Sequence, residues 1–340
     1  MPSDKRTPPP APTLEAVAAL AGVSRSTVSR VINESPKVTP EALAAVNRAI
    51  AELNYVPNRA ARSLASRRTQ SIALVIPENT AKFFADPFFA SVIQGAAVYL
   101  AGTDYTLTLL IASETDPMKT RRYLRGGNVD GALILSHHSD DRSYVELGRS
   151  LPVVFGGRPT SQGSSGSYVV DVDNVDAAAT AVQYLIDHGK RRIATIAGPQ
   201  NMAAGLDRVE GWRRTVEAAG LEPGAMEVGD FTPAGGTAAA ERLLARDAAF
   251  DGIFIASAQM ASGALGVFRE HGLRVPEDLG IVTIDNDYYA THATPRLTTM
   301  AQPTVEQGAT MARVLVRLIE GHRVPKLTIM PTELIEGDSV

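Results

Sequence analysis

Two hydrophobic patterns divide the chain. Up to about residue 65 the apolar positions recur at three- and four-residue intervals, and beyond residue 70 they gather into short continuous runs. In "LEAVAALA" (14–21), Leu14, Val17, Ala18 and Ala21 make one stripe at helical spacing, with Thr13 placed to cap the start and Gly22 to stop the end. Ser24 caps a second predicted helix whose Val28, Val31 and Ile32 face inward. Thr39 caps a third, with Pro40 at its first position and Leu43, Val46, Ile50 and Leu53 as the inner face.

From "SIALVI" (71–76) onward, the runs 106–111, 131–135, 152–155, 192–197, 252–256 and 280–284 alternate with helix-period segments such as 88–101, 174–188, 207–219, 236–246 and 260–271. Runs apolar on both faces and separated by helices predict parallel strands covered on both sides. About 270 residues exceed what one such sheet needs. The expected fold is therefore an all-α head followed by an α/β core of two doubly wound lobes, with a ligand cleft at the carboxyl ends of the strands.

Composition narrows the functions open to such a chain. It has 340 residues, 44 % of them hydrophobic, and no cysteine, so disulfides, thiolate nucleophiles and cysteine metal sites are excluded. No apolar run approaches the roughly 20 residues that span a bilayer, and the start, "MPSDKRTPPPAP", lacks a secretory core. Residues 1–12 read as a disordered arm, and a cytoplasmic, nucleoid-associated location is expected. The net charge of −4 hides an asymmetry: residues 1–70 carry ten Lys and Arg against five acids, which leaves the remainder at −9. A basic head on an acidic body suits a head that meets a polyanion.

The head's spacing fits a helix-turn-helix. Packing Val28 and Val31 inward turns Arg25, Ser26, Ser29 and Arg30 outward on the second helix. Such a helix enters the major groove, where Arg bonds a guanine edge with two hydrogen bonds while hydroxyls and helix amides take phosphates. A generic pair of antiparallel helices satisfies the apolar spacing alone; the basic charge favours the DNA reading.

"TLEAVAALAGVSRSTVSRVIN", "VTPEALAAVNRAIAELNYVPNRAARSLA", "GWRR", "HGLRVPEDLGIVTIDND" and "PRLTTMAQP" together resemble the lactose-repressor (LacI/GalR) family of bacterial transcription regulators, from about Thr13 to near the C-terminus. The resemblance implies a head at 13–56, a hinge helix and linker at 57–70, and a core like a periplasmic sugar-binding protein. Its first lobe is expected at 71–168 with 299–328, and its second at 169–298 with 329–340. It implies that Arg25 and Ser26 choose bases, that Arg30 lies near bases and backbone, and that Asn33 and Tyr55 support phosphate contacts. Leu64 in "PNRAARSLA" then wedges into the minor groove. The full expected DNA-binding set is Thr13, Ser24, Arg25, Ser26, Thr27, Ser29, Arg30, Asn33, Tyr55, Asn58, Arg59, Arg62 and Leu64. The partner is a palindromic double-stranded operator bound by a homodimer. The chain's last residues, "LIEGDSV", hold no heptad segment of the kind that makes tetramers in the family.

The same resemblance places Phe88, Phe89, Arg158, Arg208, Phe231, Ser257 and Asp285 in an effector cleft. An aromatic face with Arg and Asp suits a carbohydrate, stacking on the ring and bonding its hydroxyls. Phe88 or Phe89 in the core, Arg158 at the surface and Asp285 as a strand-end cap are the alternatives. Ser257-Ala258 stands where the family usually has Asn-Asp, which predicts a more positive cleft and leaves open a smaller, more apolar or anionic ligand, or a vestigial site.

Enzyme readings find little support. The chain has no P-loop and no G-x-S-x-G elbow, and "GNVDGA" does not follow a strand as a dinucleotide fingerprint should. His137 and His138 are adjacent, so on an extended chain their rings point to opposite faces and cannot share one metal. No catalytic residue, cofactor or metal is expected, and no membrane partner. The remaining alternative is a sugar-binding receptor without a DNA role.

Overall fold

The computed structural model describes residues 12–32, 35–56, 68–111, 117–139, 143–160, 166–246 and 249–340. The chain forms two compact units, residues 1–69 and 70–340.

The first unit holds α1 (Leu14–Ala21), α2 (Arg25–Ile32) and α3 (Pro40–Leu53). The Thr13 hydroxyl accepts from the Ala16 amide at 3.2 Å, Gly22 closes α1 with φ +65°, and the Ser24 hydroxyl accepts from the Thr27 amide at 3.2 Å. Thr39 caps α3 in the same way, and Asn54 ends it in the left-handed conformation. Val17, Ala18, Val28, Val31, Val46, Ala49 and Tyr55 make the core. The inner stripe of α3 runs Val46, Ala49, Ile50 and Leu53, and Leu43 is 44 % exposed rather than buried. The stripe starts one turn later than the apolar spacing suggests.

The second unit contains two six-stranded sheets. The first lobe has β1 (Ser71–Ile76), α4 (Thr80–Ala85), α5 (Pro87–Ala101), β2 (Thr106–Ile111), α6 (Pro117–Arg125), β3 (Gly131–Leu135), α7 (Ser143–Leu147), β4 (Val153–Gly156) and β5 (Tyr168–Val172). The second has α8 (Asn174–Asp187), β6 (Ile193–Ala197), α9 (Ala203–Ala218), β7 (Met226–Val228), α10 (Pro233–Leu244), β8 (Gly252–Ile255), α11 (Ala258–Glu270), β9 (Gly280–Ile284), α12 (Tyr288–Thr291) and β10 (Thr298–Ala301). The chain then returns to the first lobe for α13 (Thr304–Ile319) and β11 (Leu327–Met330), and β12 (Glu333–Ile335) closes the second. The sheet orders are β11-β5-β4-β3-β1-β2 and β12-β10-β9-β8-β6-β7. All pairings are parallel except β12 on β10. Each sheet is covered by helices on both faces, with one apolar cluster per face.

Three lobe limits differ from the expected ones. Residues 169–172 complete β5 in the first sheet, 299–301 lie in β10 of the second, and 329–330 end β11 in the first. Strands this short carry no mark of which sheet they join, so backbone pairing and not composition sets the limits. The chain therefore passes between lobes at 172–174, 301–304 and 330–333. Within the first lobe α5 and α13 cross backbone to backbone: a Cβ on Gly95 would lie 1.8 Å from the Val305 carbonyl oxygen, and one on Gly308 2.0 Å from that of Val92. Only glycine fits either position.

Candidate DNA-binding face and ligand cleft

On the head, Ser24, Arg25, Ser26 and Arg30 are exposed while Thr27 and Ser29 are half-buried. The Ser24 hydroxyl lies 2.8 Å from that of Ser26 and 2.9 Å from that of Thr27, so three hydroxyls cluster at the amino end of α2 beside its free amides. Arg25 Nε lies 3.2 Å from Glu15 Oε1 across the helix pair, with both side chains largely exposed. A pair this exposed is weak and screened by solvent. Thr13 serves the α1 cap. Tyr55 is 7 % exposed and packs in the head core. Asn33, Asn58, Arg59, Arg62 and Leu64 lie outside the described residues.

In the core, one cavity opens between the lobes, built by segments at the carboxyl ends of the strands: Ser136 and His137 after β3, Arg158 after β4, Phe231 after β7, Ser257 after β8 and Asp285 after β9. Its empty volume, mouth included, is about 830 Å³, within the range of small-molecule sites. All seven residues expected in the cleft line it. Phe88 is half-buried on its wall, whereas Phe89 is 3 % exposed and anchored in the first-lobe core.

Arg208, on α9, is 5 % exposed. Its Nε donates to Asn174 Oδ1 at 2.9 Å and its Nη1 to the Ala256 carbonyl at 2.7 Å, and its guanidinium lies 5.7 Å from the Phe231 ring centre. Burial pulls its pKa below the ordinary guanidinium value, and the carboxylates of Asp285, Asp171 and Asp207 oppose that shift. A Cβ on Gly198 would lie 2.2 Å from the Phe231 ring, so glycine at the end of β6 leaves room for the aromatic wall. Arg158 is exposed and spans the lobes, with Nη2 2.7 and 2.9 Å from the two carboxylate oxygens of Asp207 on α9. The Ser257 hydroxyl accepts from the Met260 amide at 3.3 Å, which makes it the cap of α11 as well as part of the wall.

Several cleft residues escaped the sequence reading: Asp86, Asp171, Asn174, Gln259, Gln302 and Gln307. Asp86 caps α5, accepting from the Phe88 amide at 2.9 Å, and Gln259 of the other lobe works against the rise of its pKa. Burial first, and the charge of Asp285 second, push its carboxyl up to about 7, and burial with Asp285 raises neighbouring Asp287 to about 6. The wall carries three cations (Lys82, Arg158, Arg208) and three carboxyls (Asp86, Asp171, Asp285), and burial raises the pKa of all three carboxyls.

His138, with a ring nitrogen 3.0 Å from Glu78 Oε1 and the other 3.2 Å from Asn201 Oδ1, links the lobes beside the cavity, and the Ser139 amide donates to the Asn201 carbonyl at 2.8 Å. Lys82 Nζ also donates to Glu78, at 2.9 Å. Of the five non-glycine residues with positive φ among the described residues, three line the cavity: Ser136, Phe231 and Asp285. Backbone held this way concentrates at ligand sites.

Residues 13–58 match the model for bacterial regulatory proteins of the lacI family, and residues 182–340 match the periplasmic binding protein-like domain. The HTH-type transcriptional regulator CelR of Thermobifida fusca is 46 % identical over 333 residues, covering 96 % of this chain and 98 % of the relative. A solved CelR–cellobiose complex aligns with a TM-score of 0.77 at 44 % identity, over 97 % of this chain and all of the other. The lac repressor dimer bound to operator and an anti-inducer aligns at 0.86 and 26 % identity, over 97 % and 99 % of the two chains. No described helix is long and apolar enough to cross a membrane. A three-helix head with an exposed basic face, two lobes around a polar and aromatic cavity, and a near full-length likeness to such regulators agree: the chain belongs to the lacI family of bacterial regulatory proteins.

Proposed function

We propose that this protein is a transcriptional repressor that binds a palindromic operator as a homodimer and changes its operator affinity when a neutral carbohydrate enters the cleft. The observation that carries the effector half is the pairing of buried Arg208, fixed by Asn174 and the Ala256 carbonyl, with the Phe231 and Phe88 rings. A cation that is already oriented bonds hydroxyls at little entropic cost, and aromatic faces suit the apolar faces of a sugar ring. A wall that presents cations and carboxyls together offers both donors and acceptors to the hydroxyls of a neutral polyol. The relative solved with cellobiose makes cellobiose the first ligand to test.

Dimerisation is supported by the first lobe, where edge strand β2 and the helices beside it expose Leu109, Val98, Met118 and Tyr123. Exposed apolar side chains grouped at a sheet edge need covering. The receptor-type alternative leaves the folded head and its exposed Arg25 and Arg30 without a use. Ligand in the cleft alters lobe closure, and through the dimer the relation of the two heads. Fluorescence anisotropy of a labelled palindromic operator, titrated with the full-length protein with and without cellobiose, tests both halves. A sugar-dependent shift of the operator binding curve supports the reading, and identical curves with every neutral sugar tried remove the effector half.

A further inference from the structure

His137 and His138 part company after β3. His137 turns into the first lobe, 6 % exposed and edge-on to the Phe155 ring at 5.5 Å, while His138 reaches toward the second lobe. Its Nε2 lies 3.0 Å from Oε1 of Glu78, which follows β1 in the same lobe as the histidine. Its Nδ1 lies 3.2 Å from Oδ1 of Asn201, which follows β6 in the other lobe. The Ser139 amide donates to the Asn201 carbonyl at 2.8 Å, so the backbone holds that residue against the ring. Glu78, His138 and Asn201 all stand outside the cavity wall.

Both ring nitrogens thus face oxygen. Glu78 is 7 % exposed and also accepts from Lys82 Nζ and the Ser136 hydroxyl, donors that keep it a carboxylate, and a carboxylate only accepts. Nε2 therefore carries a proton in either charge state of the paired ring, and Nδ1 carries one only in the imidazolium. An imidazolium donates to both lobes at once, from Nε2 to Glu78 and from Nδ1 to the Asn201 amide oxygen. A neutral ring offers Asn201 a lone pair instead, and the contact survives only if the amide turns to present its nitrogen. The bond that remains joins two neutral groups and is about half as strong. The bond to Glu78 raises the ring's pKa and Asn201 adds to the rise, while burial and Lys82 of α4 oppose it.

We propose that His138 is a proton-dependent latch between the lobes, whose imidazolium ties Asn201 of the second lobe to Glu78 of the first, so that closing the cleft takes up protons. The proposal rests on the reading above that the effector alters lobe closure. Opening the lobes removes Asn201 from the ring but leaves Glu78 beside it, since Glu78 and His138 share the first lobe. The Nδ1 bond alone then differs between the two states. The closed state holds the proton more tightly, so effector affinity is greatest in mild acid and falls as pH rises through the pKa of the latched ring.

Two measurements on the full-length protein test the latch. Histidine-selective NMR titration, without ligand and with saturating cellobiose, reads the ring itself, and His138→Gln identifies its resonance. Asn201→Ala should lower the His138 pKa, and Asn201→Asp, which puts a carboxylate in place of the amide, should raise it. Opposite shifts from one position are not what a merely structural residue produces, and equal values in all three proteins under both conditions overturn the latch. A variant at 201 that does not fold leaves the comparison to the other. Calorimetry with cellobiose at about pH 6 and about pH 8.5, in buffers of different ionisation enthalpy, reads the coupling: wild-type affinity should fall about three- to tenfold with rising pH, with protons taken up on binding. Asp86 and Asp285 on the cavity wall also exchange protons, so the latch is the part of that fall which both Asn201→Ala and His138→Gln remove. A fall of the same size in all three proteins overturns the coupling. If cellobiose does not bind, the carbohydrate reading loses its first ligand, and the ligand-free titration decides the latch by itself.

Discussion

Arg158 and Asp207 form a two-oxygen ion pair that ties the first lobe to α9 of the second, beside the buried Arg208. Closure is thus assisted by a contact at the rim of the cleft while recognition lies deeper in. Arg158 is 53 % exposed, so water and salt screen the pair. Exposed pairs are worth about 0.2–1 kcal/mol, and Asp207→Asn should weaken effector binding by less than about fivefold. Titration at low and high salt checks this: the difference between the two proteins should shrink as salt rises, and a difference independent of salt would contradict the rim assignment.

Arg208→Met is expected to act differently. It strands Asn174 Oδ1 and the Ala256 carbonyl in the interior and leaves Asp285 without its nearest opposing charge. Breaking a buried charged arrangement costs about 3–5 kcal/mol, so the melting temperature should fall and the effector response should disappear. The head forms its own unit with its own core, so non-specific DNA binding should survive. Thermal melts combined with anisotropy measure both, and a Met variant that still answers the sugar at wild-type concentrations would sink the role.

Arg25→Ala on the head should relax base preference at one position in each half-site, at a cost of about 1–3 kcal/mol. Glu15→Gln is the informative companion, since it removes the ion-pair partner that Arg25 has in the free head. It should leave base preference intact and shift affinity for all sequences together. Binding to a systematically substituted operator separates the two outcomes; equal losses on every sequence for Arg25→Ala would rule out base reading.

The pH dependence of ligand-free stability has a definite sign. The hydrogen bond to Glu78 holds the His138 pKa above its ordinary value, so the folded state favours the protonated ring. That stabilisation is complete below the usual imidazole pKa of about 6.5 and is lost as pH rises through the raised value. Asp86, at about 7, and Asp287, at about 6, bind protons in the folded state that the unfolded chain releases near pH 4, so they too destabilise as pH rises toward 7. Glu78, held near 2 by His138, Lys82 and Ser136 against its burial, contributes stability that is lost only in acid. Melting temperature should therefore fall between pH 5.5 and 8. His138→Gln and Asp86→Asn should each flatten that slope, and an unchanged slope in both variants would refute the assignment.

What the sequence disclosed follows from the kind of signal each residue carries. Val28 and Val31 declared the head because helical spacing leaves them one place to go, and they carry Arg25 and Arg30 outward with them. Arg208 and Phe231 were legible through resemblance, since the likeness extends over both lobes. Asp86 and Gln307 were not, because a polar residue in the first turns of a helix reads as a cap or a solvated position. Only the folded chain shows that Asp86 caps α5 while lining the cleft, or that Gln307 lies on the cleft wall. The expected lobe limits fell inside β5, β10 and β11 because these short strands mix polar with apolar residues and do not stand out as continuous apolar runs.

The three passages of the chain between the lobes act like three pins set in one hinge plate. A single linker would let the lobes swivel, slide and twist, whereas three neighbouring covalent links, each only one or two residues long, oppose every relative motion except rotation about a common line. Free energy gained by a ligand anywhere in the cleft therefore drains into one mechanical coordinate. Ligands of different shape differ in how far they turn it, not in which way.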